Sequence, residues 1–152
     1  MARLSVMGAA LGAKAWLVIL TGLVVSSPAA AADTAAGSPA FKRCMKASGG
    51  VTASMRACIS TEYGLLDRDL NATYRRVMRQ LPTAHLRGRL RESQRVWLWR
   101  RDYDCNRAVD TSGFRGGTAG DLIYDDCQLT ELRERLAWLR KVPANHGYLK
   151  KV

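Results

Sequence analysis

Three pairs of aspartates stand close together in the sequence: Asp67 with Asp69, Asp102 with Asp104, and Asp125 with Asp126. Two carboxylates in distinct environments are what a hydrolase uses, or else a nucleophile with its base. None of these pairs comes with a histidine, a metal-ligand pattern or a nucleophile motif. Adjacent aspartates near a helix start read instead as solvated charges that favour the positive end of the helix dipole. The glycine-bearing stretch Asp110 to Gly120 lacks the Gly-Lys-Ser/Thr ending of a nucleotide P-loop. Its backbone amides, with Arg115, could cradle an anion, or the stretch is a plain turn across a disulfide. The four cysteines include no C-x-x-C, and the two histidines, His85 and His146, stand alone, which argues against a zinc site. These residue types point away from an enzyme, a metal or a cofactor and toward binding.

What stands out is arginine. Ten lie between Arg75 and Arg107, and most should face solvent, because burying an unpaired guanidinium is costly. Several fall within the stretch Gln94 to Cys105. Leu86, Leu90, Gln94, Trp97, Leu98, Arg101 and Cys105 take one side of a helix there, while Val96, Trp99 and Tyr103 take the other at i, i+3, i+7. A helix wet on one side needs only one apolar stripe. Either Val96, Trp99 and Tyr103 pack on a second neighbour, the fourth helical segment, or the stripe is a binding place. In that case Trp99 and Tyr103, among Arg91, Arg95 and Arg100, would form a hot spot for an anionic or saccharide-bearing surface.

The elements that must position these residues begin after a leader. Arg3 and Lys14, the apolar run Ala15 to Val25, and Ala30-Ala31-Ala32 have the layout of a secretory signal peptide over residues 1–32. The run is too short to span a bilayer, which takes about 20 residues. No lipid-anchor cysteine follows it, the first being Cys44. The expected location is therefore periplasmic or secreted, with no transmembrane segment in the mature protein and no lipoprotein anchor. Loss of the leader's two cations takes the formal charge from +11 to +9, a strongly basic domain whose field favours anionic partners.

In an exported chain an even cysteine count reads as disulfides. Cys44–Cys58 and Cys105–Cys127 are the favoured pairs, each closing a local loop across glycines. Residues 33–38 are small and polar and read as a disordered lead-in. A short helix is expected over Pro39 to Ala47, stopped by Gly49-Gly50. Thr52 can cap a long helix whose stripe is Met55, Ile59, Tyr63, Leu66, Leu70, Tyr74, Val77 and Leu81, with Pro82 ending it. Gly64 is a place where it could kink. Thr83 can cap the next helix, which runs to about Ala108. Asp110 to Gly120 is read as a loop, and a fourth segment covers about Asp121 to Val142 with Leu122, Leu129, Leu132, Leu136 and Leu139 on one face. Residues 143–152 are read as a mobile tail. The expected fold is all-α: a small antiparallel bundle of three main helices with a short N-terminal helix and two disulfides, the domain covering residues 39–142.

Cys58, Asp67-x-x-Leu70-Asn71-x-x-Tyr74, Gln94-x-x-Trp97-x-x-x-Arg101-Asp102-x-x-Cys105, Gly116-Gly117-Thr118, Cys127 and Thr130-x-x-Arg133 form an ordered set. Together they resemble the lysozyme-inhibitor LprI-like family of exported bacterial proteins, over about Cys44 to Leu136. The resemblance implies a helical, disulfide-bonded envelope protein and, for the member that named the family, lysozyme inhibition. The spacing adds its own reading. Asp67, Asn71 and Tyr74 on one helix and Gln94, Trp97 and Arg101 on the next form two faces able to meet in a structural seam. In it Arg101 would meet Asp67 or Asp104. Such a seam would fix register, or would hold a small-ligand pocket.

Two functions follow. One is inhibition of a host or competing lysozyme by binding, with Arg115 reaching the carboxylates of its cleft. The other is a basic envelope protein that binds or organises anionic polymers: lipopolysaccharide, acidic glycans or nucleic acid. The charge weighs on the first, because many lysozymes are themselves basic.

Overall fold

The computed structural model describes residues 37–149. The leader, the first four residues of the lead-in (33–36) and Lys150 to Val152 lie outside the described residues. Gly37 and Ser38, read as part of a disordered lead-in, are pinned in place. The Ser38 backbone N–H and hydroxyl donate to the two carboxylate oxygens of Glu62 at 2.8 and 2.7 Å. The same hydroxyl accepts from the Phe41 N–H at 3.1 Å, capping helix α1, Pro39–Ala47. Pro39 in the first turn forfeits no helical hydrogen bond.

Helix α2 spans Thr52–Gln80 and continues through Gly64. Its N-cap is Val51 rather than Thr52, and no side chain caps it; Thr52 already lies inside the first turn. Leu81 is extended, as the residue before a proline prefers to be, and ends the helix. Thr83 does cap helix α3, Ala84–Ser112, accepting from the Leu86 N–H at 3.2 Å. This helix outruns its expected end. Thr111 and Ser112 turn their hydroxyls back onto the carbonyls of Arg107, Ala108 and Val109, and Gly113, left-handed at φ 79°, then stops it.

Helix α4 begins at Thr118, not near Asp121, and runs to Lys141. The loop expected over Asp110 to Gly120 is thereby cut to residues 113–117. Gly120 belongs to the first turn of α4, where a Cβ would come within 2.4 Å of the Phe114 carbonyl oxygen. The residue is needed for this close approach. The tail expected to be mobile carries a 3-10 turn, His146–Leu149, with Leu149 buried in the core and its carbonyl accepting from Arg89 at 3.0 Å.

The three long helices do not pack as equal neighbours. Helix α4 lies along both α2 and α3, while α2 and α3 make little backbone approach to each other. From α2, Arg56 reaches Asp121 and Asp125, Glu62 meets Arg133, and Asp69 meets Arg140, so α2 and α4 run parallel. From α3, Cys105 joins Cys127, Asp102 meets Gln128, and Gln94 meets Arg135, so α3 runs antiparallel to α4. Helices joined by a turn thus run antiparallel, α2 to α3 and α3 to α4, while the closest packing is between the two parallel helices, α2 and α4. Leu70, Val77 and Leu81 of α2, Leu90 and Trp97 of α3, and Leu132, Leu136, Leu139 and Val142 of α4 form the core.

The disulfides are Cys44–Cys58, joining α1 to α2, and Cys105–Cys127, joining α3 to α4. Closing loops of 14 and 22 residues constrains the unfolded chain by about 3 kcal/mol each. Reduction is therefore expected to lower the melting temperature of the protein, with thiols available to alkylation only after reductant. Alkylation of four thiols without reductant would contradict the pairing.

Candidate functional site

The stripe that could have packed on the fourth segment is in fact open to solvent. Helix α3 turns Leu90, Ser93, Trp97 and Cys105 inward. Val96, Trp99 and Tyr103 are left 44%, 68% and 53% exposed. The Trp99 and Tyr103 rings stack on each other, centroids 5.5 Å apart and planes 12° apart, which holds two large aromatic surfaces in fixed relation. Around them Arg95 pairs with Glu92, and Arg100 lies 3.8 Å from Asp104. These exposed ion pairs are weak and leave the guanidinium groups able to exchange partners.

Arg115 lies farther along, on the α3–α4 loop, where it pairs with Asp110. Asp110 lies eleven residues past Trp99, about 16 Å along the helix and almost back on the same face. The loop also exposes Phe114, which sequence reasoning did not single out. The signal available was an apolar side chain in a glycine-flanked stretch with no periodic partner. Trp99, Tyr103, Arg95 and Arg100 thus lie on or beside one exposed strip of α3, with Arg115 beyond its C-terminal end. Arg91 and Arg95 also border the groove between α2 and α3, and Arg100 borders a second cavity on the α4 side.

That groove stands where a closed seam was expected. It holds about 620 Å³ and is lined by Asp67, Asn71 and Tyr74 from α2 and Gln94, Trp97 and Arg101 from α3, among others. The two faces do look toward each other, but α4 holds their helices apart. Asn71 is exposed and donates to Asp67, one turn back on its own helix, at 3.0 Å. Arg101 meets neither Asp67 nor Asp104. It donates to Asp102 Oδ1 at 2.9 and 2.8 Å and to the Tyr63 hydroxyl at 3.0 Å. Burial works against the Asp102 carboxylate, but hydrogen bonds from Gln128 and Arg101 outweigh it and hold its pKa below the usual value. Gln94 turns to α4 and accepts from Arg135 Nε at 3.0 Å. Trp97 is the floor. Its indole N–H is buried with no acceptor, and Arg101 lies 5.2 Å from its ring centroid.

Arginine also accounts for the close aspartates. Asp69 is engaged by Arg140, Asp102 by Arg101, Asp104 by Arg100 and Asp125 by Arg56, so each pair has a member committed to an ion pair. Fold and surface together define the class: an all-helical domain pinned by two disulfides and presenting an aromatic strip edged with arginines. The profile of the family described as lysozyme inhibitor LprI matches residues 44–139, and the chain belongs to that family. No curated protein and no solved structure matches it. Among the described residues no helix is long and apolar enough to cross a membrane.

Proposed function

We propose that this protein is an exported inhibitor that binds a lysozyme through the solvent face of α3, and is not an enzyme. The observation that carries this reading is the stacked Trp99–Tyr103 pair, which α4 leaves uncovered. Binding energy at protein interfaces concentrates in aromatic and arginine side chains at the centre of a patch, and here both types lie together. Family membership supplies the partner class. The two disulfides fit a compartment outside the cytoplasm. Net charge opposes long-range approach to a basic lysozyme, so attraction has to come from local geometry. Arg115 supplies it: it can leave the exposed Asp110 for a carboxylate in the glycosidase cleft, while Phe114 covers apolar surface beside it.

The test is inhibition of lysozyme lysis by Trp99→Ala and Arg115→Ala. Trp99→Ala is expected to leave stability within about 0.5 kcal/mol, because the ring has little to lose on the folded side. It should weaken inhibition about 30-fold, the loss of a hot-spot residue worth about 2 kcal/mol. Inhibition should persist at high salt and fall in Arg115→Ala. A folded Trp99→Ala protein that inhibits like wild type would remove α3 from the site. If instead lysis is unaffected by the wild-type protein and binding to an anionic polymer falls steeply with salt, the protein is a basic polymer-binding protein.

A further inference from the structure

Arg135 is the residue that neither the fold nor the proposed lysozyme surface explains. It projects from α4 into a cavity of about 800 Å³ between α3, α4 and the C-terminal 3-10 turn, and only 8% of it is exposed. A guanidinium buried this far ordinarily meets a carboxylate. This one donates from Nε to Gln94 Oε1 at 3.0 Å and from Nη2 to Ser93 Oγ at 2.8 Å, both neutral acceptors. No carboxylate among the described residues lies within ion-pair distance of it.

Of the five N–H protons of a guanidinium, these bonds use two. Both protons of Nη1 and one of Nη2 remain, the two-pronged end that fits a carboxylate. The flat faces are already supported, with Trp138 at 4.1 Å and Trp97 at 5.5 Å from the guanidinium carbon. Burial, and after it the charge of Arg100, lowers the pKa of Arg135 to about 10. It remains a cation at neutral pH, with its charge uncompensated. Glu131 and Glu134 also line the cavity, but neither pairs with Arg135, and neither is a cause that raises its pKa. Two carboxylates in the lining disfavour a dianion such as phosphate more than a monoanion.

We propose that this cavity is a ligand site for a small organic carboxylate with a flat apolar body. The carboxylate is held by the free Nη1 and Nη2 protons of Arg135, and the body lies against Trp138 and Tyr148. Tyr148 is partly exposed at the opening, so the site is accessible without unfolding. It borders the α3 strip at Val96 and Arg100 but does not include Trp99, Tyr103 or Arg115, and its occupation is measured without lysozyme.

Benzoate is the probe, titrated into the exported protein and followed by tryptophan fluorescence and calorimetry, with benzyl alcohol and inorganic phosphate as comparators. Saturable benzoate binding is expected, with at least tenfold weaker binding of both comparators. Arg135→Met should lose benzoate binding and keep or raise its melting temperature, since replacing an unpaired buried cation with an apolar chain removes a desolvation penalty. Tyr148→Ala, which removes a partly exposed ring, provides a variant that folds in any case and should bind several-fold more weakly. The proposal is overturned by no saturable benzoate response in the wild type, by wild-type affinity in folded Arg135→Met or in Tyr148→Ala, or by phosphate binding as tightly as benzoate.

Discussion

Glu62→Ala is expected to destabilise the protein by about 3–5 kcal/mol, the cost of leaving a buried charge without its partner. Glu62 lies on α2 with almost no exposed surface, and Arg133 of α4 faces it at 3.6 Å, equally buried. Arg133 has little else. Its Nε and Nη2 are buried with no hydrogen-bond acceptor, and its remaining close contact is the Phe41 ring, 5.0 Å away. Removing the carboxylate also frees Ser38, which both of its oxygens hold, so the attachment of α1 should loosen as well. The second variant separates charge from packing. Glu62→Ala combined with Arg133→Met removes both charges and should recover a large part of the loss, because a buried pair replaced by apolar groups is often near neutral. Chemical denaturation of the two single variants and the double variant measures this. A double variant no more stable than Glu62→Ala would mean that the pair contributes through shape and not through charge.

This buried pair was not legible in the sequence, and the reason is general. Arg133 and Arg135 flank a leucine face, and a charge at such a position ordinarily reaches water. Here α4 is covered on two sides, by α2 and by α3, so Arg133 and Arg135 are enclosed. Periodicity identified the leucine face of α4 but could not say that this helix is central. The same missing fact left two readings of the Trp99 stripe. If α3 were central, Val96, Trp99 and Tyr103 would be covered; with α4 central they are open. It also turned a presumed seam into a groove, since faces with matching spacing on consecutive helices need not touch when a third helix sits behind them.

Other features were legible because their causes are local. Thr83 after Pro82 stands at a helix start, where its hydroxyl satisfies a free backbone amide; Ser38, which does the same for α1, was read as part of the lead-in. The two disulfides follow from short loops, which keep the cysteines close in any compact arrangement. The loop over Asp110 to Gly120 was over-read for a local reason too. Threonine, serine and glycine compete with helix in isolation, but Thr111 and Ser112 bond the last turn of α3 and Gly120 admits the Phe114 carbonyl. The motif residues of the two faces line one groove, while Asp102, the partner Arg101 takes, also accepts from Gln128 of α4, a helix outside the motif pair.

Two tryptophans on one helix, two residues apart, should therefore give opposite results. Trp97→Ala is expected to lower stability by about 3–5 kcal/mol, the range for deleting a large aromatic from a core, because its ring is 6% exposed and packs with Leu70, Leu90 and Leu132 in one cluster. One term offsets the loss: the indole N–H has no acceptor, so removing it relieves an unsatisfied donor. The ring is also the wall shared by the α2–α3 groove and the Arg135 cavity, and truncation would open one into the other, adding cavity cost to the lost contacts. Arg101 and Arg135, which flank the ring at 5.2 and 5.5 Å, would lose a cation–π partner as well. Trp99→Ala removes a ring that is two-thirds exposed and whose main contact is Tyr103. Its stability should be nearly that of wild type. Thermal melts of the two variants read the fold, and lysozyme inhibition at a temperature where both are folded reads the surface. Loss of stability in Trp97→Ala with inhibition retained by its folded fraction, beside the reverse in Trp99→Ala, is the expected result. Equal destabilisation by the two substitutions would show that the outer face of α3 is covered in solution.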